Sequence, residues 1–189
     1  MNPNTSTNKI STKDIVFCAI FVTLTAICSW ITIPTVVPFT LQTFAIFLAV
    51  GILGGKKGTI SVIVYTLLGL VGVPVFAGFT GGVAKIIGPT GGYIVGFILS
   101  ALVMWLFEVL FGRKIWSRIT SMILGLLICY AFGTVWFIEI YTRKVEAINL
   151  ASALKMCVIP FIIPDLLKIA AAFILSDRLY GTFQKIYQQ

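Results

Sequence analysis

Six stretches of this chain are so poor in charge and so rich in Ile, Leu, Val, Phe and Ala that water cannot be their solvent. A helix needs about 20 apolar residues to cross a bilayer, within a range of about 17–25. The first stretch runs Ile15 to Ile33 and ends at Pro34, and the second runs Phe39 to Leu53 and stops at "GGKKG". The third is Thr59 to Val73, before Pro74, and the fourth is Gly91 to Phe111. The fifth is Ile119 to Tyr141 and the sixth Ala153 to Leu175. The second and third are short, so tilt or local thinning of the bilayer is expected.

Composition agrees with this pattern. The 189 residues are 59% hydrophobic and 11% charged, whereas soluble domains are about 45–50% apolar and about 25% charged. The expected fold is an all-α integral membrane protein of six transmembrane helices. Residues 1–14 read as a polar N-terminal tail, 15–179 as the six-helix domain and 180–189 as a C-terminal tail. The first apolar run is too long for a signal-peptide core and lacks a convincing cleavage site, so it reads as a retained helix.

Net charge is +8, but the basic residues fall between apolar runs and form no nucleic-acid patch. With six spans both termini share a side. That side collects Lys9, Lys13, Lys56, Lys57, Arg113, Lys114, Arg118, Arg178 and Lys185, against Lys85, Arg143, Lys144 and Lys155 opposite. Positive charge marks the cytoplasmic face, which puts both termini in the cytoplasm.

Several functions are excluded on chemistry. The chain has no histidine, and Cys18, Cys28, Cys129 and Cys157 all lie in apolar runs without a C-x-x-C pair. No metal-ligand cluster, nucleophile motif or phosphate-binding lysine loop occurs. The chain reads as neither an enzyme nor a cofactor protein, and it cannot hydrolyse ATP by itself.

Two features remain to be explained. "IPDLLK", residues 163 to 168, sets Asp165 and Lys168 three apart inside the sixth stretch, after Pro160 and Pro164. Positions i and i+3 share a helix face, and a charge deep in a membrane costs about 2.5–3.5 kcal/mol or more unless it has a partner or a cavity. One reading is a self-cancelling pair that pins helix packing. The other is a binding wall, with a carboxylate that accepts and an ammonium that donates. Pro164 removes the bond to the carbonyl of Pro160 and should kink the helix there.

The second feature is residues 72 to 93, "GVPVFAGFTGGVAKIIGPTGGY", with seven glycines and two prolines. It is too apolar for a freely solvated loop. Irregular backbone at membrane depth is tolerated where it lines a cavity, so the segment is expected to cap a site, with Phe76 and Phe79 covering a ring face. In "VPFTLQTF", residues 37 to 44, Thr40 and Thr43 are expected on one helix face, and Gln42 can both donate and accept. These polar groups serve equally well as contacts between helices. Helix one carries small residues at Ala19, Thr23 and Ala26, which let another helix approach closely.

Together "VPFTLQTF", "GLVGVPVFAGFTGG", "GPTGGYIVGF" and "IPDLLK" resemble the BioY family, the biotin-specific substrate-binding subunits of energy-coupling-factor (ECF) transporters. The resemblance implies a multi-pass protein of a prokaryotic plasma membrane that captures biotin from outside, under the glycine-rich loop. It also implies docking on a transmembrane coupling protein, the T component, and two ABC ATPases that use the ATP. By resemblance Asp165 and Lys168 contact biotin, with Gln42, Phe79, Thr80, Gly91, Gly92 and Tyr93 around them. Lys85, Tyr93 and the amides of "GPTGG" are candidates for the valerate carboxylate. Helix one is the family's docking surface, which carries over to Ala19, Thr23 and Ala26, although Thr23 departs from the usual alanine spacing. The alternative is a self-sufficient ion-coupled or passive vitamin transporter with Asp165 as its coupling site.

Overall fold

A computed structural model describes residues 11–188. Residues 1–10 of the expected tail, with Lys9, lie outside the described residues, as does Gln189. Helix α1 is Thr12–Trp30. It begins three residues earlier than the apolar run because Ser11 and Asp14 form a capping box: the Ser11 hydroxyl accepts from the Lys13 N–H, and Asp14 accepts from the Ser11 N–H at 3.0 Å.

The join to the second helix differs from expectation. Pro34 and Pro38 push the residues before them toward extended backbone. Accordingly β1 (Thr32–Ile33) pairs antiparallel with β2 (Phe39–Thr40), with Thr32 opposite Thr40. Helix α2, Gln42–Leu53, therefore starts after Thr40, which sits on a strand and shares no helix face with Thr43. The expected "GGKKG" loop shrinks to Gly54, which takes φ +85°, and Lys56 and Lys57 fall in the first turn of α3, Gly55–Leu70. Gly55 donates its N–H to Glu108 at 2.8 Å, so a carboxylate from elsewhere caps that helix start.

The glycine-rich segment holds a tight turn, in which Phe76 and Thr80 bridge, and a one-turn helix α4, Val83–Ile86. Helix α5 is Gly91–Phe111, as read from the sequence. Helix α6 runs Ile115–Lys144, longer than the apolar core that predicted it. The sixth stretch is two helices, α7 (Leu150–Cys157) and α8 (Ile162–Gln188), separated by a 3-10 turn at Ile159–Phe161. Pro160 and Pro164 thus produce a break rather than a kink. Pro164 falls in the first turn of α8, where a missing N–H costs nothing.

Helix α2 is buried on nearly every side, packed by α1, α3, α5 and α8. Helices α5 and α6 pack most extensively. Their seam brings small residues together, Gly96 against Cys129 and Ser100 against Gly125, while Gly92 and Gly133 make room for Trp136 and Tyr93. A Cβ on Gly96 would lie 2.9 Å from the Cys129 sulfur, and Ser100 donates to the Gly125 carbonyl at 2.6 Å. Close backbones of this kind are how helices associate where lipid provides no hydrophobic drive.

Many large apolar side chains face outward. On α8, Ile163 and Leu167 are 72% and 67% exposed while Asp165 and Lys168 are buried. Among the described residues, α1, α5, α6 and the stretch Leu150–Tyr187 are long and apolar enough to cross a membrane. Helix α2 is a shorter apolar helix.

Candidate functional site

A cavity opens between α2, α5, α6, the break before α8 and the glycine-rich segment, enclosing about 680 Å³ with its mouth. Its floor is charged. The Asp165 carboxylate sits in the first turn of α8, where the helix dipole favours an anion. It accepts from Lys168 Nζ at 2.8 Å, from the Thr43 hydroxyl at 3.1 Å and from the Tyr130 hydroxyl at 2.6 Å. Lys168 also donates to the Thr40 carbonyl at 2.6 Å, and its ammonium lies 4.1 Å from the centre of the Phe39 ring.

The hydrogen-bonding capacity of this floor is not exhausted. A carboxylate has about four acceptor positions and an ammonium three donors. Asp165 has three positions filled, and Lys168 has two donors committed. One acceptor position, on Asp165 Oδ2, and one Lys168 N–H remain, on two residues that both line the cavity. A group that carries an N–H next to a carbonyl fits that pair.

Gln42 stands next to it. Its side-chain N–H₂ donates to the Tyr65 hydroxyl at 2.6 Å, and its oxygen accepts from the Thr40 hydroxyl at 3.0 Å. Tyr93 and Phe97 of α5 form an apolar side, and the Tyr93 hydroxyl pairs with Thr134 at 3.1 Å. Lys85 and Thr90 line the cavity from the glycine-rich segment, and among the described residues Lys85 makes no ion pair.

Of the residues named from the sequence, Asp165, Lys168, Gln42, Lys85 and Tyr93 meet in this cavity. Phe79, Thr80, Gly91 and Gly92 do not line it. Phe79, at φ +56°, is exposed and stacks on Trp30 at 4.9 Å, while Phe76 and Ala77 face the cavity instead. Thr80 donates to the Ala77 carbonyl and closes its own turn. Gly91 and Gly92 are packing glycines: a Cβ would strike the Ile86 carbonyl at 1.6 Å and the Trp136 side chain at 2.3 Å, respectively. On α1, Ala19 and Thr23 are exposed along a groove with α3, whereas Ala26 is buried beside Tyr65 and Phe76.

Tyr130 and Phe39 carry no signal of this role in the sequence. Tyr130 is the one polar side chain of its helical turn, but its partner lies 35 residues away, so no local spacing announces the contact.

Residues 3–185 match the BioY family. The chain belongs to that family. A probable biotin transporter BioY of Pyrococcus horikoshii is 39% identical over 170 residues, covering 89% of this chain and 97% of the relative. A biotin transporter BioY of Thermotoga maritima is 39% identical over 168 residues, covering 88% and 95%. A crystal structure of the S-component for biotin from an ECF-type ABC transporter superposes with a TM-score of 0.79 at 27% identity, covering 93% of this chain and 94% of that one. All four BioY-like segments contribute to the cavity: Thr40, Gln42 and Thr43 from the first, Phe76 and Ala77 from the second, Thr90 and Tyr93 from the third, Asp165 and Lys168 from the fourth.

Proposed function

We propose that this chain is the substrate-capture subunit of an ECF-type ABC transporter and that its ligand is biotin, taken from the outer side of the membrane. The observation that carries this reading is the convergence of the four family segments on a cavity walled by Asp165 and Lys168. Biotin's ureido group has two N–H donors beside one carbonyl, which suits the one free acceptor and one free donor of that pair. The apolar sides of its fused rings suit Tyr93 and Phe97. The valerate carboxylate would meet Lys85, on the segment that caps the cavity.

Six crossings, with α2 and α3 as the short ones, put both termini in the cytoplasm and the cavity toward the outside. The subunit is non-catalytic and needs no cofactor. ATP is used by two ABC ATPases, reached through a transmembrane T component that packs on α1. Ala19 and Thr23 would meet that partner, because Ala26 faces inward.

The test is a binding isotherm for biotin on the purified chain in detergent, without ATP, with desthiobiotin, biotin amide and riboflavin as competitors. Tight biotin binding with weaker biotin amide is expected. Equal affinity for riboflavin rejects biotin as the ligand. Uptake into cells should require ATP and partner subunits; uptake that collapses only with an uncoupler would instead support ion coupling at Asp165.

A further inference from the structure

Tyr65 is completely buried, lies on α3 and does not line the cavity. Its hydroxyl nevertheless ends a chain of hydrogen bonds that starts on a cavity residue. Gln42 Nε2 is 2.6 Å from Tyr65 Oη, which donates to the Val75 carbonyl at 2.9 Å. A carbonyl only accepts, so the single Tyr65 proton is spent there. Tyr65 must then accept from Gln42, and the Gln42 atom facing it has to be the N–H₂. At the other end the Thr40 hydroxyl accepts the Gln42 backbone N–H at 3.2 Å and spends its proton on Gln42 Oε1 at 3.0 Å. The amide is fixed in one of its two orientations. Gln42 lines the cavity, and its second N–H and second oxygen lone pair are left for a ligand.

We infer that Tyr65 is a positioning residue for ligand selection: it sets the donor–acceptor sense of the Gln42 amide and so decides which edge of an amide-like ligand the site accepts. This rests on the reading of Gln42 as a biotin contact. Without the Tyr65 hydroxyl, Nε2 loses its acceptor, and the Thr40 hydroxyl can turn to serve either atom. The two amide orientations then become comparable, and the site loses its preset polarity.

The experiment is a double-mutant cycle on biotin affinity with Tyr65→Phe and Gln42→Leu. Phe retains the ring that packs edge-on against Phe76 at 5.7 Å. Tyr65→Phe alone should weaken biotin by about fivefold to twentyfold. On the Gln42→Leu background it should change affinity by less than about twofold, because the group it acts through is gone. Ser29→Ala is the control. Ser29 Oγ lies 2.5 Å from the same Val75 carbonyl and bonds the Tyr65 hydroxyl but does not touch Gln42, so its loss should cost clearly less affinity than that of the Tyr65 hydroxyl. If Gln42→Leu alone has no effect, Gln42 is not a ligand contact, and the underlying reading fails first. If both singles weaken binding and their effects multiply in the double, Tyr65 acts by packing and the inference is overturned. An affinity loss from Ser29→Ala as large as that from Tyr65→Phe would overturn it as well. A measurement on the unmutated chain needs no folded variant. With ¹⁵N-labelled glutamine, the Gln42 side-chain N–H₂ should exchange far more slowly than that of Gln184, which is only half-buried, before biotin is added. Equally fast exchange would mean that the amide is not held.

Discussion

Two of the acid–base pairs among the described residues do different jobs. Asp14 and Lys57 join α1 to α3 at 2.5 Å, and the Tyr187 hydroxyl of α8 donates to the same Asp14 oxygen at 2.8 Å. Lys57 lies over the Tyr187 ring, and Phe17 meets Phe183 edge-on at 4.7 Å beside it. This cluster staples three helices. Asp165 and Lys168 are neighbours on one helix, so their mutual bond joins nothing that the helix backbone does not already join. They are also more deeply buried, with side chains 5% and 8% exposed against 10% and 32% for Asp14 and Lys57. Their bonds to Thr43 of α2, Tyr130 of α6 and the Thr40 carbonyl of β2 do tether α8, but at a greater desolvation cost. What sets the Asp165 pair apart is the cavity it faces and the free donor and acceptor it presents there.

Substitutions can separate the two roles. The largest effect is expected from Asp165→Asn, which strands the Lys168 charge and removes the acceptor. Biotin affinity should fall by roughly tenfold to a hundredfold, the worth of about 1.5–3 kcal/mol in a charged hydrogen bond. Lys57→Met should do the reverse. It is expected to lower unfolding stability in detergent by about 1–3 kcal/mol as Asp14 and Tyr187 lose their partner, with biotin affinity intact. A loss of affinity there would merge the two clusters into one function. Tyr130→Phe removes one of the three donors on Asp165 without touching charge. A drop of about threefold to tenfold in affinity is expected by titration calorimetry. The smallest effect should come from Phe79→Ala, since that ring stacks on Trp30 outside the cavity. Loss of an exposed aromatic pair costs about 0.5–1.5 kcal/mol in local order. Hydrogen exchange of residues 72–93 should quicken while affinity holds.

The helices are legible in the sequence where apolar runs end on charge or proline. Gly91–Phe111 is the same in both. The ends that differ are those that tertiary partners decide. Glu108 caps α3 from another helix, and the paired strands take Thr40 off the helix that its spacing suggests. In the site, Asp165 and Lys168 stand out because charge in an apolar run is costly and therefore visible. Tyr65 and Tyr130 do not, because a tyrosine is at home in an apolar run and the bonds that use its hydroxyl are distant in sequence. The glycines of "GPTGGY" look like ligand-approach positions. Gly91 and Gly92 are instead filled by the Ile86 carbonyl and Trp136, since close approach to protein and close approach to a ligand require the same residue.

The most direct test of the site is the double variant Asp165→Asn with Lys168→Met, compared with each single in a biotin isotherm after folding and membrane insertion are verified. The double variant leaves no isolated charge in the bundle. If both groups hold the ligand, it should bind at least as poorly as the worse single. Recovery of near-native affinity would contradict the account and leave Asp165 and Lys168 as a structural pair like Asp14 and Lys57.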